Sequence, residues 1–236
     1  MDGIVIPANF KSVGVQGPRW DPKPRSAPMS HAKPIVFIVD DDISVRESLE
    51  ALIRFEGWEA KTFTSAEQFL SCPVLPGPSC LVLDVNLPDL NGLELQRRVG
   101  TNRKDLPIIF ITGQGDIPMT VEAMKAGAVE FLTKPFGDDV LIGAIRQALE
   151  RSSAALERGR QIQLVRDRHE SLSRREQEVM ALVVSGLLNK QIAFELGISE
   201  ITVKAHRGQV MRKMKARSLP DLVNMAARLG LVRRDN

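Results

Sequence analysis

From Ile35 onward, short apolar runs alternate with stretches of helical period. The runs are Ile35–Val39, Trp58–Phe63, Cys80–Leu83, Pro107–Ile111 and Val129–Leu132. Three of them are nearly all apolar, as strands covered on both faces must be. Between them, Val45, Leu49, Leu52 and Ile53 mark one helical stripe, closed by Gly57. Ser65 can cap a short helix carrying Phe69 and Leu70. Leu93, Leu95 and Val99 mark a third helix, Met119 to Ala126 a fourth, and Asp138 onward a fifth. Five strand-then-helix units predict an α/β doubly wound five-stranded parallel sheet.

The fifth helix runs on past Leu149. A loose heptad passes through Ile142, Ile145, Leu149, Ser152 and Leu156, but Ser152 is polar and Gly159 breaks the next seam position. A linker helix is expected, with coiled-coil pairing a weaker option. From Leu172 to Val232 the pattern is helical only, and four short helices fit: Arg174–Ser185, Lys190–Leu196, Glu200–Met214 and Pro220–Leu229. Ahead of the first run, six prolines from Pro7 to Pro34 break any periodicity. The expected organisation is a disordered tail over 1–34, an α/β domain over 35–149, a helical linker over 150–170 and an all-α domain over 171–236. Met29 stands just ahead of the first strand and is a candidate start of the native chain.

Charge sharpens this division. Residues 35–149 hold 17 acids against 10 Lys and Arg, a net of −7, whereas residues 171–236 hold 6 acids against 12, a net of +6. One half suits a cation and the other a polyanion. Cys72 and Cys80 form no metal-binding spacing, and Cys80 reads as a small buried hydrophobe, in keeping with a reducing cytoplasm. No apolar run approaches the roughly 18 residues of a membrane span. His31, His169 and His206 form no site, and Trp20 and Trp58 suggest no ligand.

The candidate chemistry stands at strand ends. Asp40, Asp41 and Asp42 follow the first run, Asp84 the third, Thr112 the fourth and Lys134 the fifth. In an open parallel sheet ligands bind at the carboxyl ends of the strands. Any one of these residues alone is better read as a turn or cap residue. Four strand ends agreeing is a site. Clustered carboxylates repel one another and are costly to desolvate, and Mg²⁺ (or Mn²⁺) relieves that cost. Asp84 is then a nucleophile for a phosphoryl group, with Lys134 and the metal neutralising its oxygens and Thr112 donating a hydroxyl.

The runs "FIVDDD", "LVLDVNLPDLNG", "IFITGQGD" and "EAMKAGAVEFLTKPF" resemble the receiver domains of two-component response regulators, the last especially the FixJ subgroup. The resemblance implies that Asp84 is phosphorylated by a sensor histidine kinase. It implies that Asp41, with Asp40 partly through water, holds the metal together with Asp84 and the carbonyl of Asn86. It also implies a cis Lys134–Pro135 bond, lifetime tuning by Asn86 and Gln114, and a switch in which Phe131 follows Thr112.

In the basic region, Gly197 permits a tight turn between two short helices. Ile192, Ala193 and Leu196 face inward, and Ile198, Ile201 and Val203 are expected to pack around the turn. Ser199 can cap the second helix. Thr202, Lys204, Ala205, His206, Arg207, Arg212 and Lys213 are left for outward roles. The run "LSRREQEVMALVVSGLLNKQIAFELGISEITVKAHRGQVMRKM" resembles the LuxR-type helix-turn-helix of the NarL/FixJ class. That resemblance implies DNA binding, with Lys204 and Ala205 near base edges, Lys190, Thr202 and Arg207 on phosphates, and His206 also among the DNA-binding residues. Gly208 departs from the pattern, since many relatives carry a longer side chain there.

The expectation is a cytoplasmic, phosphorylation-activated transcriptional regulator rather than an enzyme. Its expected partners are a sensor histidine kinase, promoter DNA, RNA polymerase and, on phosphorylation, a second copy of itself. Two rivals stand beside it. One is a regulator whose helical domain binds protein instead of DNA. The other is a phosphohydrolase of the haloacid dehalogenase kind, which expects a second Asp where Asn86 stands.

Overall fold

The computed structural model describes residues 33–103 and 105–231. The expectations for the tail before Lys33, including the Met29 start, lie outside them. The order is β1 Ile35–Val39, α1 Ile43–Phe55, β2 Glu59–Phe63, α2 Ala66–Leu70, β3 Ser79–Asp84, α3 Gly92–Asn102, β4 Ile108–Thr112, α4 Ile117–Lys125, β5 Glu130–Thr133 and α5 Asp138–Glu170. All pairings are parallel, in the order β2-β1-β3-β4-β5.

The three most apolar runs are the three central strands β1, β3 and β4. The mixed runs are the edges β2 and β5, where one flank needs no partner. Alternate residues of the central strands serve opposite faces. Phe37, Val39, Leu81, Leu83 and Phe110 pack with Phe69, Leu95, Val99 and Ala123 on the α2, α3 and α4 side. Val36, Ile38, Val82, Ile109 and Ile111 pack with Leu49, Ile53, Leu141, Ile145 and Ala148 from α1 and α5. Cys80 lies in this second layer, and burial pushes its thiol far above the ordinary range. Trp58 stands one residue ahead of β2 and packs on this face rather than opening the strand. Pro107, with no N–H to give, sits just outside β4 and accepts from the Leu81 N–H at 2.9 Å.

α5 is one helix of 33 residues, more than twice the usual length, so the expected continuation past Leu149 is present. Four helices follow: α6 Arg174–Val184, α7 Asn189–Leu196, α8 Glu200–Met214 and α9 Leu219–Arg228. Their core joins Val179, Met180, Val183, Ile192, Val203, Val210, Met214, Leu222 and Ala226 to Val165 of α5. Gly197 closes α7 with φ +63°, the left-handed conformation that glycine adopts without a Cβ penalty. Ser199 caps α8, its hydroxyl accepting from the Thr202 N–H at 3.1 Å.

Lys213 is a correction to the sequence reading, which left it facing outward. Its Nζ lies 2.6 Å from Glu176 Oε2 and also donates to the Ser171 carbonyl. Glu176 completes the capping box of α6 by accepting from the Ser173 N–H at 2.7 Å. The Lys213 ammonium, then the Ser173 N–H, hold the Glu176 carboxyl below its ordinary range. A depressed carboxylate stabilises the fold above its unfolded value, near pH 4.5, and loses that contribution as pH falls through its folded value. Glu176→Gln is therefore expected to lower the thermal midpoint of the helical domain at neutral pH. The difference from wild type should shrink in acid below about pH 4. Differential calorimetry against pH reads this directly, and a pH-independent difference would refute it.

Candidate functional site

The carboxyl ends of β1 and β3 flank the point where strand order reverses, and the predicted residues meet there. Asp40 follows β1 and is 1% exposed; Asp84 ends β3 at 6%; Thr112 ends β4 at 0%. Lys134 follows β5, and its ammonium bridges the two acids, 2.8 Å from Asp40 Oδ2 and 3.2 Å from Asp84 Oδ1. The Lys134–Pro135 bond is cis. The Asn86 N–H donates to Asp84 Oδ2 at 3.0 Å, and its side-chain amide lies 3.4 Å from the Thr112 hydroxyl. That hydroxyl also accepts from the Gln114 N–H at 3.2 Å.

The three consecutive aspartates divide their work. Asp40 is the buried partner of Lys134, and its second oxygen accepts from the Asp42 N–H. Asp42 caps α1 by accepting from Ser44 at 2.8 Å. Asp41 is exposed beside them.

Charge in the pocket is unbalanced. Burial pushes the Asp84 carboxyl up, Lys134 pulls it back and Asp40 adds repulsion, leaving it above the ordinary range. Burial alone would lower the Lys134 ammonium, but the two carboxylates outweigh it and hold it above the usual lysine range. One ammonium thus faces two buried carboxylates with a third acid exposed close by in sequence. Among the described residues, no three Asp, Glu, His or Cys side chains stand close enough to hold a metal unaided. This fits Mg²⁺, which takes one or two carboxylates and keeps several waters, better than a cation needing a full protein cage.

Several residues of the pocket escaped the sequence reading. Arg46 of α1 donates to the Asp40 carbonyl at 2.7 Å. Asp89, in the loop after β3, accepts from the N–H groups of Ala66 and Glu67 and so caps α2. Burial pushes its carboxyl up, but the N–H groups of Glu67 and Ala66, joined by those of Asp89 and Leu90, together outweigh it and hold the carboxyl below the ordinary range. Gly92 and Gly115 matter through what they lack. A Cβ on Gly92 would stand 2.8 Å from the Asp84 carbonyl oxygen and 3.0 Å from Val85 Cα. One on Gly115 would stand 3.0 Å from the Phe131 ring and 3.1 Å from the Thr112 methyl. Phe131 is half-buried, with its ring centroid 6.0 Å from that of Phe110. At Gly92 the crowding is with backbone and calls for glycine, whereas at Gly115 it is with side-chain atoms that would have to give by a few tenths of an ångström; neither has a short-range sequence signal.

In the helical domain, the exposed face of α8 is Ile201, Lys204, Ala205 and Gly208. Lys190 of α7 is also exposed. Thr202, His206 and Arg207 are half-buried on the flanks, and the Arg207 guanidinium donates to Asn189 Oδ1 at 2.6 Å. Ile201 is a second correction. It was expected to pack with Val203, but two helical residues are separated by about 200°, so burying Val203 turns Ile201 outward. Arg212 is exposed, as expected.

A pocket of this build at the end of a parallel sheet, followed by a helix-turn-helix, defines a phosphoacceptor regulator, and comparison with known proteins agrees. Residues 36–146 match the response regulator receiver domain, and residues 170–226 match the bacterial regulatory proteins of the luxR family. Nodulation protein W of Bradyrhizobium diazoefficiens is 53% identical over 199 residues, covering 84% of this chain and 88% of its own. Transcriptional regulatory protein FixJ of Rhizobium meliloti is 48% identical over 191 residues, covering 81% and 94%. The response regulator StyR superposes with a TM-score of 0.72 at 49% identity, over 83% of this chain and 99% of that one. The chain belongs to the two-component response regulators of the NarL/FixJ class, with a LuxR-type DNA-binding domain. These are transcription regulators rather than enzymes in the ordinary sense.

Proposed function

We propose that this chain accepts a phosphoryl group on Asp84 from a sensor histidine kinase, pairs with a second copy and binds promoter DNA as a dimer. The observation that carries the reading is the meeting of Asp40, Asp84, Thr112 and Lys134 at four strand ends. Asp84 Oδ attacks phosphorus, the P–N bond of the phosphohistidine breaks, and the leaving imidazole keeps the electron pair. Asp41, Asp84 and the Asn86 carbonyl, with Asp40 partly through water, would hold Mg²⁺, the cation receiver domains use, or Mn²⁺. That cation would supply positive charge for the phosphoryl oxygens. Lys134 neutralises another oxygen, and Asn86 and Gln114 border the product and set its lifetime. No helix among the described residues is long and apolar enough to cross a membrane. Work in the cytoplasm is proposed from the LuxR-type domain, whose target is DNA. RNA polymerase is the proposed downstream partner.

Thr112 couples chemistry to shape. Its hydroxyl is held by Asn86 and Gln114, and moving it toward a phosphoryl oxygen would shift its methyl against Gly115 and Phe131. Two packings of that junction are the switch, with phosphorylation shifting their balance. Thr112→Val is expected to label with phosphodonor yet stay monomeric. Light scattering with and without acetyl phosphate checks it, and phosphorylation-driven pairing in the variant would refute the coupling.

One helix-turn-helix buries little DNA surface, so tight binding calls for two copies. Receiver pairing raises the effective concentration of the second. Lys204 and Ala205, exposed on α8, would face the bases, whereas Lys190 of α7 and Thr202, His206 and Arg207 of α8 would flank the backbone. A footprint with and without phosphodonor tests the whole reading. The phosphorylated form should protect two half-sites about one helical turn apart. One half-site covered equally by both forms would overturn it, and no footprint at all would favour a protein partner.

A further inference from the structure

Ile201 is 81% exposed in the first turn of α8, a large apolar side chain that the domain's own core does not use. It lies at i, with Lys204, Ala205 and Gly208 at i+3, i+4 and i+7, so the four share one face. The opposite side of the helix sends Val203, Val210 and Met214 inward. The N-terminal turn of the second helix is the part of a helix-turn-helix that reaches the base edges. The hydroxyls in this turn are already engaged with each other, Ser199 Oγ and Thr202 Oγ1 lying 2.8 Å apart. Ile201 is thus the turn's large apolar contribution to the groove. The apolar feature of the major-groove edge is the thymine C5-methyl. One turn beyond Lys204, Gly208 bears no side chain, and a Cβ there would meet nothing within 4 Å of the protein. The fold does not require that glycine, and its absent side chain lets the helix lie closer to the groove floor.

We propose that Ile201 is a specificity-determining residue that packs on a thymine methyl neighbouring the base pair met by Lys204. The proposal rests on α8 being the groove-reading helix. The test uses the full chain with phosphodonor and a duplex selected from random DNA for tight binding. Each thymine is then replaced singly by deoxyuridine, which removes only the methyl. One thymine in each half-site should weaken wild-type binding about three- to ten-fold when so replaced. Ile201→Ala should bind the thymine and deoxyuridine duplexes equally at that position, while Lys204→Ala still weakens binding in the Ile201→Ala background. Wild type indifferent to every thymine methyl would overturn the proposal, as would unchanged discrimination in Ile201→Ala. An Ile201→Ala variant that keeps discrimination but loses transcription activation would instead assign Ile201 to a protein contact. If Lys204→Ala also left binding unaffected, the groove-reading role of α8 would itself fail.

Discussion

Asp84→Asn is expected to take up no phosphoryl label from acetyl phosphate or a phosphohistidine donor while keeping its fold. The amide has the shape of the carboxylate but offers no anionic oxygen to attack phosphorus. Its effect on stability is a contest of two modest changes. Removing the charge relieves the burial and the Asp40 repulsion that hold the Asp84 carboxyl up. Against this, Asp84 accepts from both Lys134 and the Asn86 N–H, and an amide has only one oxygen for the two. The two changes oppose each other, so the midpoint should move by only a few degrees. Labelling at the wild-type level would transfer the chemistry to another residue. Loss of label together with collapse of the fold would leave Asp84 as a structural group.

Gly92→Ala should damage the receiver through sterics alone. Alanine would ordinarily help at the start of a helix, by about 0.4–1 kcal/mol, through a less disordered unfolded chain. Here its methyl would press on the Asp84 carbonyl and Val85 Cα, and the Phe110 ring closes the third side at 3.2 Å. Two of those neighbours are backbone, one in the last residue of the central strand β3 and one in the buried residue that follows it. Overpacking of this kind costs about 1–3 kcal/mol, which outweighs the gain. The expected result is a midpoint lower by roughly 2–12 °C and slower phosphorylation, because the atoms that yield belong to the proposed acceptor. Calorimetry and labelling rates report both. A variant as stable and as fast as wild type would show that the β3–α3 junction gives more easily than its packing implies.

The sheet was legible because its chemistry is periodic. Ile35–Val39, Cys80–Leu83 and Pro107–Ile111 are apolar throughout, and only strands covered on both faces can be so; they are the central three. The acidic pocket was legible because a parallel sheet gathers its strand ends, so Asp40, Asp84, Thr112 and Lys134 meet once the strand order is right. What escaped depended on distances between segments far apart in sequence. Asp89 caps a helix more than twenty residues upstream, and Lys213 pairs with Glu176 at 37 residues' separation. Gly92 and Gly115 are set by the nearness of Asp84 and Phe131, which no local pattern records. Ile201 was misplaced for a different reason. An apolar residue beside a turn reads as core unless the helix phase is worked out from Val203 first.

The long α5 has a bearing on how such chains can be recombined. It is buried at Leu149 and Ser152, where Ser152 accepts from the Ser79 N–H at 3.0 Å, and is buried again at Val165. No residue between Ser152 and Val165 is buried, so that stretch answers to neither core. A crossover exchanging one effector for another can therefore fall there without opening either core. Yet every residue gained or lost turns the downstream segment by about 100° and moves it by about 1.5 Å. Viable hybrids should cluster at spacings of whole pairs of turns, near seven residues, so the helix acts as a ruler that counts in angle before it counts in length.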